Sequence, residues 1–391
     1  MTGAVSDVRE SMRVLPGRLQ PVLTWITGKP LADEPSWKLR PVDHLTASVV
    51  PTVAGVAMGW AGVSAGGWWL LVLPVSWLLT VHGMRKLGSM ILHQCTHSTY
   101  ASGKRANRIL GEFISVLLIT QEYDDYSREH VSDHHSVSHM TIDDPTARFI
   151  VEVMGCRPGM ARNLMWRSLV RTLLSPIFHL RATYERLRSH FSGTSGRHRL
   201  LTAVTLAAQA LAVTAAHAWT IALVVWVVPL TVLYNAAGVL RLSCRHLFPA
   251  AGQDLDGRTA IAAATHGIFL GERTPDPALR GMRRAWSWTG WWLRMILNHL
   301  VTRLFVMVGD GPCHDYHHRF PKSRNWVNYP FARRDDIAGG HPSWPAYTEV
   351  WGLRAAINEV FDSLYRADPA AYELPPAVRR SSGARAVRLA D

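Results

Sequence analysis

The chain has 391 residues, with 42 Lys and Arg against 29 Asp and Glu, for a net charge of +13. Only 18% of residues are charged and 48% are hydrophobic, whereas soluble globular proteins carry roughly 25% charged residues, so much of the surface faces something other than water. That apolar content excludes general disorder. Four scattered cysteines without a C-x-x-C pair exclude a disulfide scaffold, a zinc ribbon and a built-in iron–sulfur cluster.

Residues 1–43 are peppered with charge and lack a continuous apolar core, so they read as a cytosolic N-terminal segment without a secretory signal. Residues 44–84 contain no Asp, Glu, Lys or Arg, and neither do residues 200–240. As helix, either window measures about twice the roughly 30 Å hydrocarbon core. Each therefore predicts a membrane hairpin, with turns at Ser64–Gly67 and Ala216–Trp219; a buried soluble helix pair would need shorter apolar runs. Arg85, Lys86, Lys104, Arg105 and Arg108 follow the first hairpin, and Arg181, Arg186, Arg188, Arg197 and Arg199 precede the second. Both turns are uncharged, so the positive-inside rule puts both termini and the middle segment in the cytoplasm. Much of the +13 is thereby explained without nucleic acid, and no nucleic-acid fold signature accompanies it.

The predicted architecture is all-α and integral to the membrane: four transmembrane helices as two hairpins, capped by a cytosolic helical domain from residues 85–199 and 241–368. Phe113–Gln121 is too short to span and is expected at the interface. Ala285–Val308, four Trp interrupted by Arg294 and Arg303, predicts an interfacial amphipathic helix. Residues 369–391, rich in Pro, Ala and Arg, predict a loose tail.

The histidines fall in clusters on the predicted cytoplasmic side. H-Q-C-T-H places His93 and His97 just past the second span, four apart and so on one helix face. H-V-S-D-H-H gives His130, His134 and His135, with His139 a turn further on, and H-D-Y-H-H gives His314, His317 and His318. His246 follows the fourth predicted span. As structural residues these would repel one another whenever protonated; as neutral imidazoles they are common metal ligands. A closed tetrahedral zinc site takes four ligands, so nine candidates make a dinuclear site the economical reading. Ligand chemistry alone leaves iron and zinc both open.

At these residues the chain resembles the membrane fatty acid desaturase and hydroxylase superfamily, whose three histidine boxes, H-x(3–4)-H and two of H-x(2–3)-H-H, are set around two membrane hairpins. G-K-R-A-N-R-I-L-G after the first box, D-D-P at Asp143–Pro145 and H-H-R-F-P at His317–Pro321 agree with that pattern, and the resemblance covers roughly Leu45 to Pro330. It implies that His93, His97, His130, His134, His135, His246, His314, His317 and His318 bind two iron ions. It departs from the pattern at Arg245, where Glu is frequent before the ninth His. Carboxylates that could stand behind a ligand in its place are Glu129, Asp133, Asp143, Asp144 and Asp315. His139 is expected behind the ligands or at the interface, with a tenth ligand as the alternative, His82 in bundle packing or along the approach to the metals, and Cys95, Cys244 and Cys313 as small packing residues. His299 is given no role. The Tyr123–Tyr126 run is either a head-group site or a solvated loop.

The implied chemistry is O2-dependent oxidation of a fatty-acyl or lipid-like substrate, with desaturation as the leading outcome. A hydroxylase or monooxygenase of the same fold, acting on a lipid or specialised metabolite, is the alternative; a zinc-dependent membrane hydrolase or a metal transporter follows further behind. No cysteine cluster, dinucleotide fingerprint or fused haem domain is present. A separate electron donor, a ferredoxin or cytochrome with its reductase, is therefore implied, docking on the basic cytosolic face.

Overall fold

In the computed structural model, which describes residues 7–136, 139–252 and 257–373, a short helix α1 (Gln20–Thr27) precedes the first long one, α2 (Pro41–Ala65). Local chemistry starts α2: Pro41 fixes φ at the first helical position, and Asp43 accepts the Arg40 backbone N–H at 2.8 Å. Pro51 lies inside the helix without ending it. The chain reverses at Gly66 and Gly67, with φ of 65° and 54°, a region that glycine enters without steric cost. It returns as α3 (Gly67–Thr96).

These two helices approach closely because small residues face each other. A Cβ on Gly83 would run into Thr52 Oγ1 and the Ser48 carbonyl, and one on Gly55 would strike Thr80 and the Ser76 carbonyl. Ser76 Oγ donates to the Gly55 carbonyl at 2.7 Å. Within lipid there is no hydrophobic drive between helices, so such close van der Waals contact and hydrogen bonding hold the pair.

The first histidine box is where α3 departs from expectation. The helix continues past Arg85 and Lys86, through a π-helical stretch at Leu87–Leu92, and still includes His93. At about 45 Å, α3 outruns the roughly 30 Å hydrocarbon core, so its last turns stand clear of it. The two cations do not end the helix because protein covers them: Arg85 is buried with its guanidinium 4.7 Å from the Tyr234 ring, and Lys86 is buried too.

Helices α4 (Lys104–Leu118), α5 (Tyr123–Ser127), α6 (Arg162–Leu174) and α7 (Pro176–Ser189) lead to α8 (Gly196–Ala215) and α9 (Trp219–Arg245). Among the described residues three helices, α2, α3 and α9, are long and apolar enough to cross a membrane. The fourth predicted span, α8, begins with Arg197 and Arg199, and its charge-free part, Leu200–Ala215, reaches only about 24 Å. The charge-free window includes the turn and α9, so its total length overstated what α8 contributes.

The cap is helical with one exception to the all-α expectation. Strand β1 (Gly267–Phe269) pairs in parallel with β2 (Glu349–Trp351), which follows helices α10 (Gly281–Arg294), α11 (His314–Arg319) and α12 (Tyr329–Gly339). Strands of three residues are too short to show a period in sequence. Helix α10 runs on through Met295–Leu300 and Val301–Phe305 and leaves Met282, Trp286, Leu293 and Leu297 exposed, an apolar stripe of the kind a bilayer interface covers. Helix α13 (Leu353–Arg366) buries Phe361 and Leu364 in one core with Val239 and Leu242 of α9 and Leu169 of α6. Residues 374–391 of the expected tail lie outside the described residues. Its first part is anchored, since Tyr372 is buried and its hydroxyl donates to the Met140 carbonyl at 2.6 Å.

Candidate metal centre

Nine imidazoles from four separate segments converge in two groups. His93 and His97 come from the end of α3. His130, His134 and His135 lie on the π-helical continuation of α5, Arg128–His134, and the residue after it. His246 is the first residue past α9, in extended backbone, and α11 carries His314, His317 and His318. The first group is His93, His97, His130, His135 and His317; the second is His134, His246, His314 and His318, with ligand atoms within 4.8 Å of one another in each. The adjacent pairs split: His134 and His318 join one group, His135 and His317 the other. Neighbouring helical side chains point about 100° apart, so one pair serves two ions more readily than one. The groups touch, the rings of His135 and His318 stacking with centroids 4.3 Å apart.

The contacts inside the groups fit a cation better than they fit hydrogen bonding. Nε2 atoms meet in a chain: His97 to His130 at 3.1 Å, His130 to His135 at 3.2 Å, His135 to His317 at 3.1 Å and His317 to His93 at 3.0 Å. In the second group His314 Nε2 lies 3.3 Å from His246 and 3.1 Å from His318. With metal–nitrogen bonds of about 2.0–2.1 Å, ligands at right angles sit about 2.9 Å apart and tetrahedral ones about 3.3 Å. Burial, reinforced by neighbouring positive charge, holds the imidazoles of His130, His135, His246, His314, His317 and His318 well below the ordinary pKa and takes His97 to about 4. They are neutral, with lone pairs available. No thiol joins either group: Cys95, Cys244 and Cys313 are buried as packing residues, and burial pushes the Cys313 thiol up.

One carboxylate fixes a tautomer. Asp144 is buried and lies 2.9 and 3.1 Å from His134 Nδ1 while accepting the Met140 and Thr146 backbone N–H groups. Burial opposes its ionisation, but His134 and His139 outweigh that and hold its carboxyl below the usual range. With Nδ1–H donated to Asp144, His134 Nε2 is a bare lone pair, and it is buried without a partner among the described residues. His139 stands behind this pair, its Nδ1 donating to the His134 carbonyl at 2.9 Å.

The other carboxylates named from sequence do different work. Asp315 accepts from Arg333 at 2.9 Å, Glu129 from Gln121 at 2.7 Å, and Asp133 and Asp143 are exposed. None of them meets His246, whose Nδ1 has no hydrogen-bond partner among the described residues. Two residues escaped the sequence reading. Asp310 is buried with Oδ2 3.9 Å from His93 Nδ1 and Oδ1 3.9 Å from Arg241. Tyr329 places its hydroxyl 3.3 Å from His317 Nδ1 and accepts from Gln94 at 2.8 Å. Asp310 lies four residues before His314, a position that carries no spacing signal of its own.

The fatty acid desaturase family model matches residues 66–351, an interval that contains all nine histidines. The chain belongs to the fatty acid desaturase family. No curated protein matches it closely enough to refine that placement. Family membership makes it an oxidoreductase of the desaturase and hydroxylase type and implies a lipid substrate and a membrane context, in keeping with the three apolar helices. Within that frame the remaining expectations sort by contact. In this desaturase-family chain the Tyr123–Tyr126 run is helix and not loop: Tyr123 and Tyr126 are buried in α5, Tyr123 donating to the Cys95 carbonyl at 3.1 Å and Tyr126 stacking on His130. His82 Nδ1 donates to the Leu304 carbonyl at 3.0 Å and its ring meets Trp25 edge-on, and His299 lies 3.5 Å from Glu272.

Proposed function

We propose that this protein is an O2-dependent diiron membrane desaturase that introduces a double bond into a fatty-acyl or lipid-like substrate. The observation that carries the reading is the pair of buried, neutral imidazole groups, five and four, with no thiolate among them. Two iron ions held there would supply O2 binding and abstraction of hydrogen from an unactivated C–H bond, with electrons from a separate ferredoxin or cytochrome and its reductase.

The chain's own residues do the holding and the excluding. His93, His97, His130, His135 and His317 offer Nε2 to one ion, and His134, His246, His314 and His318 to the other. Asp144 keeps the His134 proton on Nδ1, and with His317 Nε2 at the metal, His317 Nδ1–H would donate to Tyr329 Oη. Burial of eight of the nine rings, with His135 half-buried, keeps bulk water from the reacting centre. The basic residues beside the hairpins support an arrangement with four spans, counting α8, and with both termini and the histidines on the cytoplasmic side. They also offer an acidic electron donor a docking face there.

Iron quantification on purified protein, joined to lipid profiling of cells with and without it, tests the reading. About two irons per chain and a new double bond are expected. A single zinc with no iron dependence would remove it, and an oxygen atom from labelled O2 in the product would replace desaturation with hydroxylation.

A further inference from the structure

A cavity of about 190 Å³ opens where the charged ends of α2 and α3 meet α1 and the segment after α10. Trp25, Trp37 and Trp326 wall it, and Lys86 and Arg303 are its two cations. Both are buried and neither makes an ion pair among the described residues, though the buried Asp310 lies within the field of Arg303. Arg303 is held in place by backbone: it donates to the carbonyls of Trp25 at 2.8 Å, Gly309 at 2.8 Å and Met307. Lys86 has no hydrogen bond to any described residue. The one acidic lining residue, Asp43, is committed to Arg40 at the rim. The lining imidazoles are committed as well, His44 to the Val327 carbonyl at 2.8 Å and His82 to that of Leu304.

Asp310 offsets part of the Arg303 charge, but nothing among the described residues offsets Lys86, and a buried cation without a counter-charge is costly unless an anion completes it. The aromatic walls and the position at the ends of the spans match the interfacial level of a bilayer, where head groups lie. At about 190 Å³ the cavity is smaller than the 300–1,000 Å³ of sites that enclose a whole drug-sized ligand, so it takes a head group and the start of a chain. It also backs onto the metal centre. Tyr329 lines it and reaches His317, and Gly309, another wall residue, precedes Asp310 beside His93.

We propose that Lys86 and Arg303 form the head-group subsite for an anionic amphiphile, a carboxylate or phosphate on a hydrocarbon tail, so that the enzyme's substrate is an acidic lipid and not a neutral ester or hydrocarbon. This deepens the desaturase reading and rests on it for the word substrate, while binding itself is measured without turnover.

The test is equilibrium binding of radiolabelled palmitate to the purified full chain in detergent, competed by methyl palmitate, by lysophosphatidic acid and by inorganic phosphate. Palmitate or the phospholipid is expected to bind at least about tenfold more tightly than the ester, the worth of one charge-assisted hydrogen bond. Lys86→Gln should erase that preference and leave ester binding unchanged, and Lys86→Arg should restore it. Equal affinity for acid and ester, or an unaltered preference in Lys86→Gln, overturns the proposal. Inorganic phosphate competing as well as either amphiphile overturns the lipid source in favour of a free anion. If Lys86→Gln does not fold, the acid-against-ester comparison on the unsubstituted protein decides alone. Charge-selective binding in a protein without iron would sink the desaturase reading and leave the subsite standing.

Discussion

The two histidine groups use the same ligand chemistry and are built differently. The first closes through ring-to-ring contact, four consecutive Nε2 pairs at 3.0–3.2 Å, with Tyr329 behind His317 and Asp310 at a distance behind His93. The second depends on one carboxylate, Asp144, which also ties down the Met140 and Thr146 backbone; His246 and His314 have Nδ1 atoms without a partner among the described residues. The lesson is that a shared donor set does not mean shared support. The first group is held by helices that bring rings together, the second by an acid that sets one ring's proton. Substitutions should therefore separate them.

The largest effect belongs to the split pair on α11. His317→Ala and His318→Ala are each expected to abolish turnover, and metal analysis should show about one iron lost from a different group in each. Loss of the same spectroscopic signature in both would break the partition. Acid should come next. In the metal-free protein the imidazoles of the first group stay neutral when folded but take protons near pH 6.5 when unfolded. The unfolded state then binds more protons, so stability is present above pH 6.5 and falls as pH drops toward the folded value, about 4 for His97. His97 alone corresponds to roughly 3 kcal/mol across that window. Melting temperature against pH, in wild type and His97→Gln, checks it: the variant should be the flatter of the two.

Asp144→Asn follows, with metal affinity down about 10–100-fold, the usual consequence of removing the carboxylate behind a ligand. The loss should be confined to the second group, and an equal loss from both would mean that Asp144 acts through general folding. The smallest effect is expected at Tyr329→Phe, which removes one buried hydroxyl from His317 and Gln94 at about 1 kcal/mol. Iron retention in the first group under mild chelation should fall, with no change in the second.

Much of the site was legible in the linear chain. Spacing of four between His93 and His97, and the paired histidines at 134–135 and 317–318, put imidazoles where a metal needs them, because helical periodicity is local. The charge-free windows pointed to the long apolar helices α2, α3 and α9, because desolvating a charge in hydrocarbon is costly wherever it falls. Divided at the expected turn, Ala216–Trp219, the second window leaves α8 only Leu200–Ala215 free of charge, so the short stretch was readable once the whole window's length was set aside.

Three things waited for the tertiary structure. Which histidine joins which group depends on how α3, α5, α9 and α11 meet, and adjacent residues in one box go to opposite sides. Asp144 was one of five acids near the ligands in sequence, and not among the nearest, so only the fold that brings it under His134 singles it out; Asp310 and Tyr329 reach the rings of His93 and His317 from stretches that carry no spacing signal. Arg85 and Lys86 read as the charged end of a span, yet they are buried on a helix that continues to the metal centre. Composition and periodicity are sums over neighbours along the chain, so they fix what each segment is able to do. Side chains brought together from distant segments have no such sum, and their partners are decided by packing.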